Sequence, residues 1–156
     1  MQERKLMEMV EAAGTIAIAG HVRPDGDCVG SCLAVCNYIT EQYPEKTVDV
    51  YLETPPVKFS YLKQFERISS DSNTGKQYEL CICLDSGDRE RLGNNVVYLD
   101  TAKTSICIDH HITNKGYAAS NFVNASASAT CEFLYDFLDE EKISKEVAEC
   151  IYTGII

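Results

Sequence analysis

Short apolar runs alternate with longer amphipathic stretches along the chain. Each run has four or five residues, mostly β-branched, alanine, leucine or cysteine, which is typical of strands buried on both faces of a sheet. Clusters of Gly, Pro, Asn and Asp mark turns between many of these segments. The pattern predicts strands at residues 15–19, 48–52, 80–84, 96–99, 105–108 and 121–124.

Between these runs, apolar residues recur at the three- and four-residue spacing of helices. Three side chains that can accept hydrogen bonds from a first helical turn precede such stretches, namely Asp27, Ser128 and Ser144. Thr130 is also interpreted as a capping residue, with contact to a phosphate through the helix N-terminus as the alternative. The predicted helices span residues 6–13, 28 to about 43, 129 to about 138 and the stretch after 144, with a short helix or turn at 59–65.

This alternation of strands and helices predicts a single α/β domain over residues 1–156. Right-handed crossovers between parallel strands place helices on both faces of the sheet, so we expect a mostly parallel sheet in the middle layer. In such sheets, ligands bind at the carboxyl ends of the strands. The residues that directly follow the predicted strands are therefore the first place to look for function.

Histidine and aspartate residues follow several of the predicted strands. All three histidines of the chain lie near an aspartate at the end of an apolar run, and another aspartate follows the run at 80–84. Because the carboxyl ends of parallel strands meet at one edge of a sheet, we expect these side chains to converge. The predicted site contains His21, Asp25, Asp27, Asp85, Asp109, His110 and His111.

Four of these residues are aspartates, and such a cluster needs a compensating positive charge. Two carboxylates about 5 Å apart repel each other by about 3 kcal/mol at an effective dielectric constant near 20. Divalent cations are the simplest source of that charge, because few lysines or arginines lie in these stretches. Oxygen and imidazole ligands suit Mn²⁺ better than a structural zinc ion, with Mg²⁺, Co²⁺ or Fe²⁺ as alternatives.

The spacing of Asp25, Gly26 and Asp27 predicts how two ions would be shared. At an extended strand end, residues two apart point the same way, so each carboxylate holds one ion, and Asp85 arrives from another strand as a bridge. Two ions about 4 Å apart suit phosphoester hydrolysis, because they orient the phosphate, generate hydroxide and stabilise the leaving oxygen. The plainer alternative is that Asp25 and Asp27 only form a turn and cap a helix.

Composition and charge narrow the class of protein. With 45% hydrophobic residues and charge spread along the chain, the domain is globular. The net charge of −10 argues against broad electrostatic binding of nucleic acid. A small anionic substrate that is held through bound cations remains compatible with this charge.

The eight cysteines form no Cys-x-x-Cys pair, and we interpret them as small buried hydrophobes of a protein from a reducing compartment. A thiolate metal site is the alternative, but the spacing does not support it. The N-terminus mixes both charges, unlike a signal peptide, and no apolar run approaches the roughly 20 residues that cross a bilayer. We therefore expect a cytoplasmic protein.

Three motifs, in order, resemble those of the DHH phosphoesterase family, which is named for its Asp-His-His triplet. Residues 109–111 resemble that triplet, residues 20–31 resemble the first motif of the family, and residues 84–88 resemble the second. The resemblance covers nearly the whole chain, and the combination is more specific than any single motif. Within the family, the form His-x-x-Pro-Asp-Gly-Asp is similar to the branch of bifunctional oligoribonucleases and 3′-phosphoadenosine-5′-phosphate (pAp) phosphatases.

The resemblance implies roles for individual residues. His111 would face the scissile phosphate, and Asp109 would orient a histidine from behind. Asp85 would bridge two ions, and the water between them would attack the phosphorus. The ligands implied for the two Mn²⁺ ions are His21, Asp25 and Asp85 for one ion and Asp27, Asp85 and His110 for the other.

The resemblance also implies parts that these 156 residues do not contain. The family has a fourth motif, Asp-Thr-Gly, with a further metal-binding aspartate, and residues 153–156 resemble the approach to it. A C-terminal substrate-binding domain with a Gly-rich motif follows in the family. We therefore expect the chain to be a catalytic-domain fragment, truncated before the fourth motif, and the parent protein to be the active species.

The leading hypothesis is a Mn²⁺-dependent phosphohydrolase that acts on short RNA or DNA oligomers, on dinucleotides or on pAp. Alternatives on the same metal pair are a cyclic-dinucleotide phosphodiesterase and a family II-like inorganic pyrophosphatase. A non-enzymatic alternative is a metal-bearing domain that senses a nucleotide, for which binding without hydrolysis would be diagnostic. No membrane partner is expected, and a homodimer is compatible with the sequence.

Overall fold

Six strands form one sheet in the computed structural model, which describes residues 2–156 and the side chains from residue 4 onward. In chain order they are β1 (Thr15–Ala19), β2 (Thr47–Tyr51), β3 (Ile68–Ser69), β4 (Leu80–Leu84), β5 (Thr104–Asp109) and β6 (Ser120–Val123). Across the sheet the order is β3-β2-β1-β4-β5-β6, and every neighbouring pair is parallel. The predicted α/β class is confirmed, and the sheet is wholly parallel.

Five α-helices and five short 3₁₀ turns are the other regular elements of the described part of the chain. The helices are α1 (Gln2–Ala12), α2 (Gly26–Gln42), α3 (Val96–Thr101), α4 (Thr130–Leu134) and α5 (Lys145–Ile155). The 3₁₀ turns cover Val57–Phe59, Phe65–Arg67, Glu90–Asn95, Tyr135–Phe137 and Glu140–Lys142. Among residues 2–156, none of the helices is long and apolar enough to span a membrane.

Alternate residues of each central strand pack on opposite faces of the sheet, because strand side chains alternate in direction. In β1, Ile16 and Ile18 join the larger core, which contains residues of α1, α2, α4 and α5. Ala17 and Ala19 join the smaller core, which contains residues of α3. Helices therefore cover both faces, as predicted. The strands buried on both faces have no polar face, which is why their sequences are continuous apolar runs.

Residues 96–99, predicted as a strand, form the beginning of α3 instead. Because β4 and β5 are parallel neighbours, the chain between them must cross over the sheet, and a crossover is usually helical. Tyr98 and Leu99 are buried in the smaller core, whereas Val97 is exposed. The prediction was wrong because a run of four apolar residues does not distinguish a strand from a short buried helix.

Two of the three predicted caps also differ from the structure. Asp25, not Asp27, is the N-cap of α2, because Asp25 has extended backbone angles and accepts a first-turn N–H at 3.0 Å. Ser128 lies two residues before α4, and its backbone N–H and hydroxyl donate hydrogen bonds to the carboxylate of Glu132 instead. Helix α4 is shorter than predicted and continues as a 3₁₀ turn. Ser144 caps α5, as predicted.

Helices α2 and α5 pack closely because Gly30 of α2 carries no side chain. A Cβ at this position would lie 2.5 Å from the carbonyl oxygen of Cys150 in α5, well inside van der Waals contact. The same helix carries Asp25 and Asp27 at its N-terminus. Close packing of the helix body therefore gives these two carboxylates a rigid support.

The direction of the chain across the sheet reverses between β1 and β4. From β1 the chain passes through α2 to β2 and then to β3, whereas from β4 it passes through α3 to β5 and then to β6. Because α2 and α3 lie on opposite faces, the loops after β1 and β4 separate and open a crevice at the carboxyl ends of the strands. Open α/β sheets bind their ligands at this position.

Candidate metal centre

The residues predicted to form a site lie together at this crevice. His21 follows β1, Asp85 follows β4 and Asp109 ends β5. The N-cap and the first turn of α2 supply one further carboxylate each, and the residues after β5 supply two histidines. We use the name Asp–His centre for the group of six residues that comprises His21, Asp25, Asp27, Asp85, His110 and His111.

Asp85 lies in the middle of the Asp–His centre and presents one carboxylate oxygen to each of two histidines. Its Oδ2 is 3.3 Å from Nε2 of His21, and its Oδ1 is 3.4 Å from Nε2 of His110. The backbone of Asp85 has a φ of 60°, a left-handed conformation that costs a non-glycine residue about 1 kcal/mol or more. The side chain is almost fully buried. Each oxygen of this buried carboxylate thus lies next to a different imidazole.

The His21 side of the centre is an ion pair. Nδ1 of His21 lies 2.6 Å from the carbonyl oxygen of Val22, so Nε2 faces the carboxylates and is 3.6 Å from Oδ1 of Asp25. Burial lowers the pKa of His21, but hydrogen bonds to Asp25 and Asp85 raise it to about 11 overall. The imidazole in turn lowers the pKa of Asp25 to about 2. A metal ion on this side would replace the proton on Nε2.

Asp27 lies on the other side of the centre, and its carboxylate caps α4. Its two oxygens accept the backbone N–H groups of Thr130 and Cys131, each at 2.9 Å, and Oδ2 is 3.5 Å from Nε2 of His110. Burial and the charge of Asp85 raise the pKa of Asp27 to about 6, although the two N–H groups lower it. Excess negative charge on this side would favour a bound cation.

Asp25 and Asp27 serve different sides, contrary to the prediction that they point the same way. That prediction assumed an extended strand end, whereas the two residues are the N-cap and the second residue of α2. Residues two apart on a helix point about 200° apart. Asp25 therefore lies beside His21, and Asp27 lies beside His110.

His110 is oriented by the turn that precedes α4. Its Nδ1 lies 3.2 Å from the carbonyl oxygen of Ala127, which leaves Nε2 for Asp27 and Asp85. The backbone N–H of Asn124, at the start of the same turn, donates to the carbonyl oxygen of the last residue of β5. The turn thus fixes both the position and the orientation of this imidazole.

His111 is held from behind by Asp109, which is fully buried at the end of β5. Oδ1 of Asp109 is 2.7 Å from Nδ1 of His111, and its Oδ2 accepts a hydrogen bond from the amide of Asn114 at 2.8 Å. Because Nδ1 is engaged, Nε2 is the free ring nitrogen. The ring of His111 lies 4.6 Å from that of His110, and its side chain is 40% exposed. His111 is therefore accessible to a ligand at the centre.

Three side chains that support or border the centre were not predicted to do so; one of them, Thr130, was interpreted as a capping residue but is the first residue of α4 and does not cap it. The hydroxyl of Thr130 donates to Oδ1 of Asp85 at 2.9 Å, and Asn114 supports the aspartate behind His111. The Sγ of Cys28 lies within 4.8 Å of ligand atoms of two centre residues. Asn114 follows the two histidines by three or four residues, so its short distance in sequence was a signal that could have identified it. Thr130 comes from a distant segment, and Cys28 matches the apolar face of its helix.

A cavity of about 390 Å³ opens beside the centre, between the loops that follow β4 and β5. Gly87 and Lys115 line it from the two loops, and a Cβ at Gly87 would lie 3.4 Å from Cβ of His111. Lys115 is exposed and forms no ion pair with another residue in the described part of the chain. Asp88 and Glu90 also line the cavity, so the free ammonium group of Lys115 is the positive charge that an anionic ligand could use there.

The chain is similar in sequence to proteins that share one description. The chain is 32% identical to the probable bifunctional oligoribonuclease and PAP phosphatase NrnA of Streptococcus mutans, over 98% of this chain and 48% of that protein. It is 31% identical to the bifunctional oligoribonuclease and PAP phosphatase NrnA of Bacillus subtilis, over 97% and 48%. The chain thus spans about half the length of these relatives.

Among solved structures, the chain superimposes on an exopolyphosphatase-related protein from Bacteroides fragilis with a TM-score of 0.87. The two are 25% identical, and the match covers 99% of this chain and 48% of the other. The family model described as the DHH family, N-terminal domain, matches residues 15–155. These residues include all seven side chains predicted for the site, and the chain belongs to the DHH family.

Proposed function

We propose that this domain carries the two-metal centre of a phosphoesterase that hydrolyses short oligoribonucleotides, pAp or both. The observation that carries the proposal is the position of Asp85, whose two oxygens face His21 and His110 separately. The names of the relatives, oligoribonuclease and PAP phosphatase, support the substrate class. Because the chain spans about half of these relatives, the activity belongs to the protein that carries this domain.

The donor atoms of the centre fit two divalent cations. Imidazole nitrogen and carboxylate oxygen are ligands of Mn²⁺, our preferred ion, and of Mg²⁺ and Co²⁺. When bound, such ions orient a phosphate, activate water and neutralise the leaving oxygen. The raised pKa of Asp27 supports this fit, because a cation would relieve the repulsion between its carboxylate and that of Asp85. The proposed ligands are His21, Asp25 and Asp85 on one side and Asp27, Asp85 and His110 on the other.

His111 is the side chain that we propose to act on the scissile phosphate. Its Nδ1 is bonded to Asp109, so Nε2 is the atom that donates a hydrogen bond to the phosphate or a proton to the leaving oxygen. Asn114 holds the second oxygen of Asp109 and thereby limits rotation of that carboxylate. Asp109 and Asn114 position His111 and do not themselves touch the substrate.

The cavity beside His111 would receive the rest of the substrate. With about 390 Å³ it falls in the range of small-ligand pockets, and it adjoins the proposed reaction centre. Lys115 would pair with a phosphate of the bound nucleotide. This cation and the bound metal ions would offset the repulsion that a net charge of −10 exerts on an anionic substrate. The eight free, buried cysteines favour the reducing cytoplasm as its location.

The test is hydrolysis of a ribodinucleotide and of pAp by the purified protein that carries this domain, with Mn²⁺ present. Chromatography should show release of nucleoside monophosphates from the dinucleotide and of phosphate from pAp. Asp85→Ala should abolish both activities, whereas Asp136→Asn, at an exposed aspartate beyond α4, should leave them unchanged. Pyrophosphate, polyphosphate and a cyclic dinucleotide complete the substrate panel. Absence of turnover with the dinucleotide and pAp, or full turnover by the Asp85→Ala variant, would contradict the proposal.

A further inference from the structure

Cys28 differs from the other cysteines in its surroundings. Its Sγ, a ring nitrogen of His21 and a carboxylate oxygen of Asp85 lie within 4.8 Å of one another, and all three residues are buried. None of the other seven cysteines, all within the described residues, belongs to such a group. The mutual distances are those expected of atoms that can surround one metal ion.

The local structure holds this sulfur in place. Asp25 caps α2 by accepting the N–H of Cys28 at 3.0 Å, which sets the residue in the first turn of the helix. The Sγ lies 3.9 Å from the carbonyl oxygen of His21 and points toward Gly20, at the end of β1. A Cβ at Gly20 would collide with the sulfur. Gly20 therefore provides the space that Sγ occupies next to the centre.

We infer that Cys28 is a sulfur ligand of the ion on the His21 side. The inference rests on the proposed function, because it assumes an ion at that position. His21, Asp25, Asp85 and Cys28 then supply one nitrogen, two oxygens and one sulfur, whereas the His110 side supplies only nitrogen and oxygen. On ligation the thiol loses its proton to solvent, and the sulfur–metal bond forms.

A mixed donor set makes the two sides unequal in metal preference. Thiolate selects softer ions such as Zn²⁺, Co²⁺ and Cd²⁺, whereas carboxylate and imidazole alone also accept Mn²⁺ and Mg²⁺. The His21 side should therefore prefer Cd²⁺ to Mn²⁺ more strongly than the His110 side does. Nitrogen and oxygen ligands alone already bind Co²⁺ more tightly than Mn²⁺, so the difference in Cd²⁺ preference between the two sides is diagnostic. The simpler role for Cys28, a small apolar side chain in the core, predicts no such difference.

The test is loading the protein that carries this domain with Co²⁺. A sulfur ligand gives an intense near-ultraviolet charge-transfer band, whereas nitrogen and oxygen ligands give only weak visible bands. We expect the intense band in the wild type and in Cys36→Ser, a matched control for a buried cysteine two turns further along α2. Cys28→Ser should lose the band, and its affinity for Cd²⁺ should fall on the order of tenfold or more.

Three results would overturn the inference. Co²⁺ binding without the intense band would exclude Cys28 as a ligand while leaving the proposed metal centre intact. A band that persists in Cys28→Ser would assign it to another cysteine. Failure of the wild type to bind Co²⁺, Cd²⁺ or Mn²⁺ would overturn the metal centre as well. If Cys28→Ser does not fold, X-ray absorption of the Zn²⁺-loaded wild type decides, through a sulfur neighbour at about 2.3 Å or its absence.

Discussion

Thr130 donates its hydroxyl hydrogen to Oδ1 of Asp85, the oxygen that faces His110. The bond joins the first residue of α4 to the carboxylate at the middle of the Asp–His centre. Both side chains are buried, so water cannot replace the hydroxyl if it is removed. Helix α4 therefore holds Asp85 through this side chain, as well as Asp27 through its backbone.

We expect Thr130→Val to lower the free energy of unfolding by about 1.5–3 kcal/mol, because a buried carboxylate loses a donor. Thr130→Ser keeps the hydroxyl and should retain more of the stability. Urea denaturation of the metal-free proteins measures the difference. Equal stability of the valine and serine variants would show that the hydrogen bond contributes nothing.

The number of bound metal ions should show whether Asp85 is a ligand of both ions. After incubation with Mn²⁺ and removal of free ions, the wild type should retain two ions per chain by elemental analysis. His21→Ala and His110→Ala should each lose one ion, and Asp85→Ala should lose both. Asp136→Asn, which removes an exposed carboxylate away from the centre, should retain both. Two ions in Asp85→Ala would contradict a shared ligand.

Metal binding should depend on pH through His21. Its pKa of about 11 means that the metal-free protein carries a proton that an ion must displace at neutral pH. Between pH 7 and 9, displacement of the His21 proton should raise the apparent affinity on this side by about tenfold per pH unit, and ligation by the Cys28 thiol would release a second proton. Calorimetry in buffers of different ionisation enthalpy counts the protons. Asp25→Asn should reduce the release, and an affinity independent of pH would contradict the prediction.

The same titration affects folding of the metal-free protein. Because the folded-state pKa of His21 is above its ordinary value of 6.5, the protonated imidazole stabilises the fold fully below that pH. The contribution is lost as the pH rises toward 11. Thermal unfolding of the wild type and of His21→Gln should therefore differ more at pH 6 than at pH 10. A difference that grows with pH would have the wrong sign.

Catalysis and metal binding should separate at His111. We expect His111→Ala to lower kcat on a dinucleotide by about 10²–10⁴ while both ions are retained, because a proton donor is lost and no proposed ligand is removed. Asn114→Ala should lower kcat by a smaller factor, because it only loosens Asp109. Steady-state kinetics and metal content, measured on the same samples, test both expectations. Loss of an ion in His111→Ala would make this residue a ligand instead.

The contact between α2 and α5 should tolerate no side chain at residue 30. Gly30→Ala places a methyl group against a backbone oxygen, and we expect it to cost about 1–3 kcal/mol of unfolding free energy. Gly14→Ala is the matched control, since its methyl group would meet only the flexible carboxylate of Glu79. Denaturation curves of the two variants give the comparison. Equal stability would mean that the helices separate without cost.

The strands of the central sheet could be predicted because their physical signal is local. Apart from the half-buried Thr15, β1 and β4 are buried on both faces, so the rest of each strand is apolar and the run ends where the chain reaches the site. The convergence of His21, Asp85 and His110 followed from the rule that parallel strands end at one edge. Residues 96–99 are equally apolar, but a crossover requirement, which no short window contains, makes them helical.

The details of the centre depend on contacts between distant segments. Asp27 was expected to cap its own helix, yet it caps α4, about 100 residues further along the chain. The hydrogen bond from Thr130 to Asp85 has the same origin. Side-chain spacing predicts which residues share a helix face, but it does not predict which helix end arrives opposite them.

The turn at residues 124–129 leads into α4 and helps to position two residues of the Asp–His centre. Its carbonyl at Ala127 orients His110, and its end delivers two N–H groups to Asp27. Both interactions use the backbone of the turn and of the first residues of α4. Apart from Asn124, whose side chain accepts the N–H of Ser126, and the buried Ala127 and Ala129, side chains in the turn can therefore change. A single inserted or deleted residue, by contrast, would rotate α4 and displace both partners. At this turn the number of residues constrains function more than the identity of most of them.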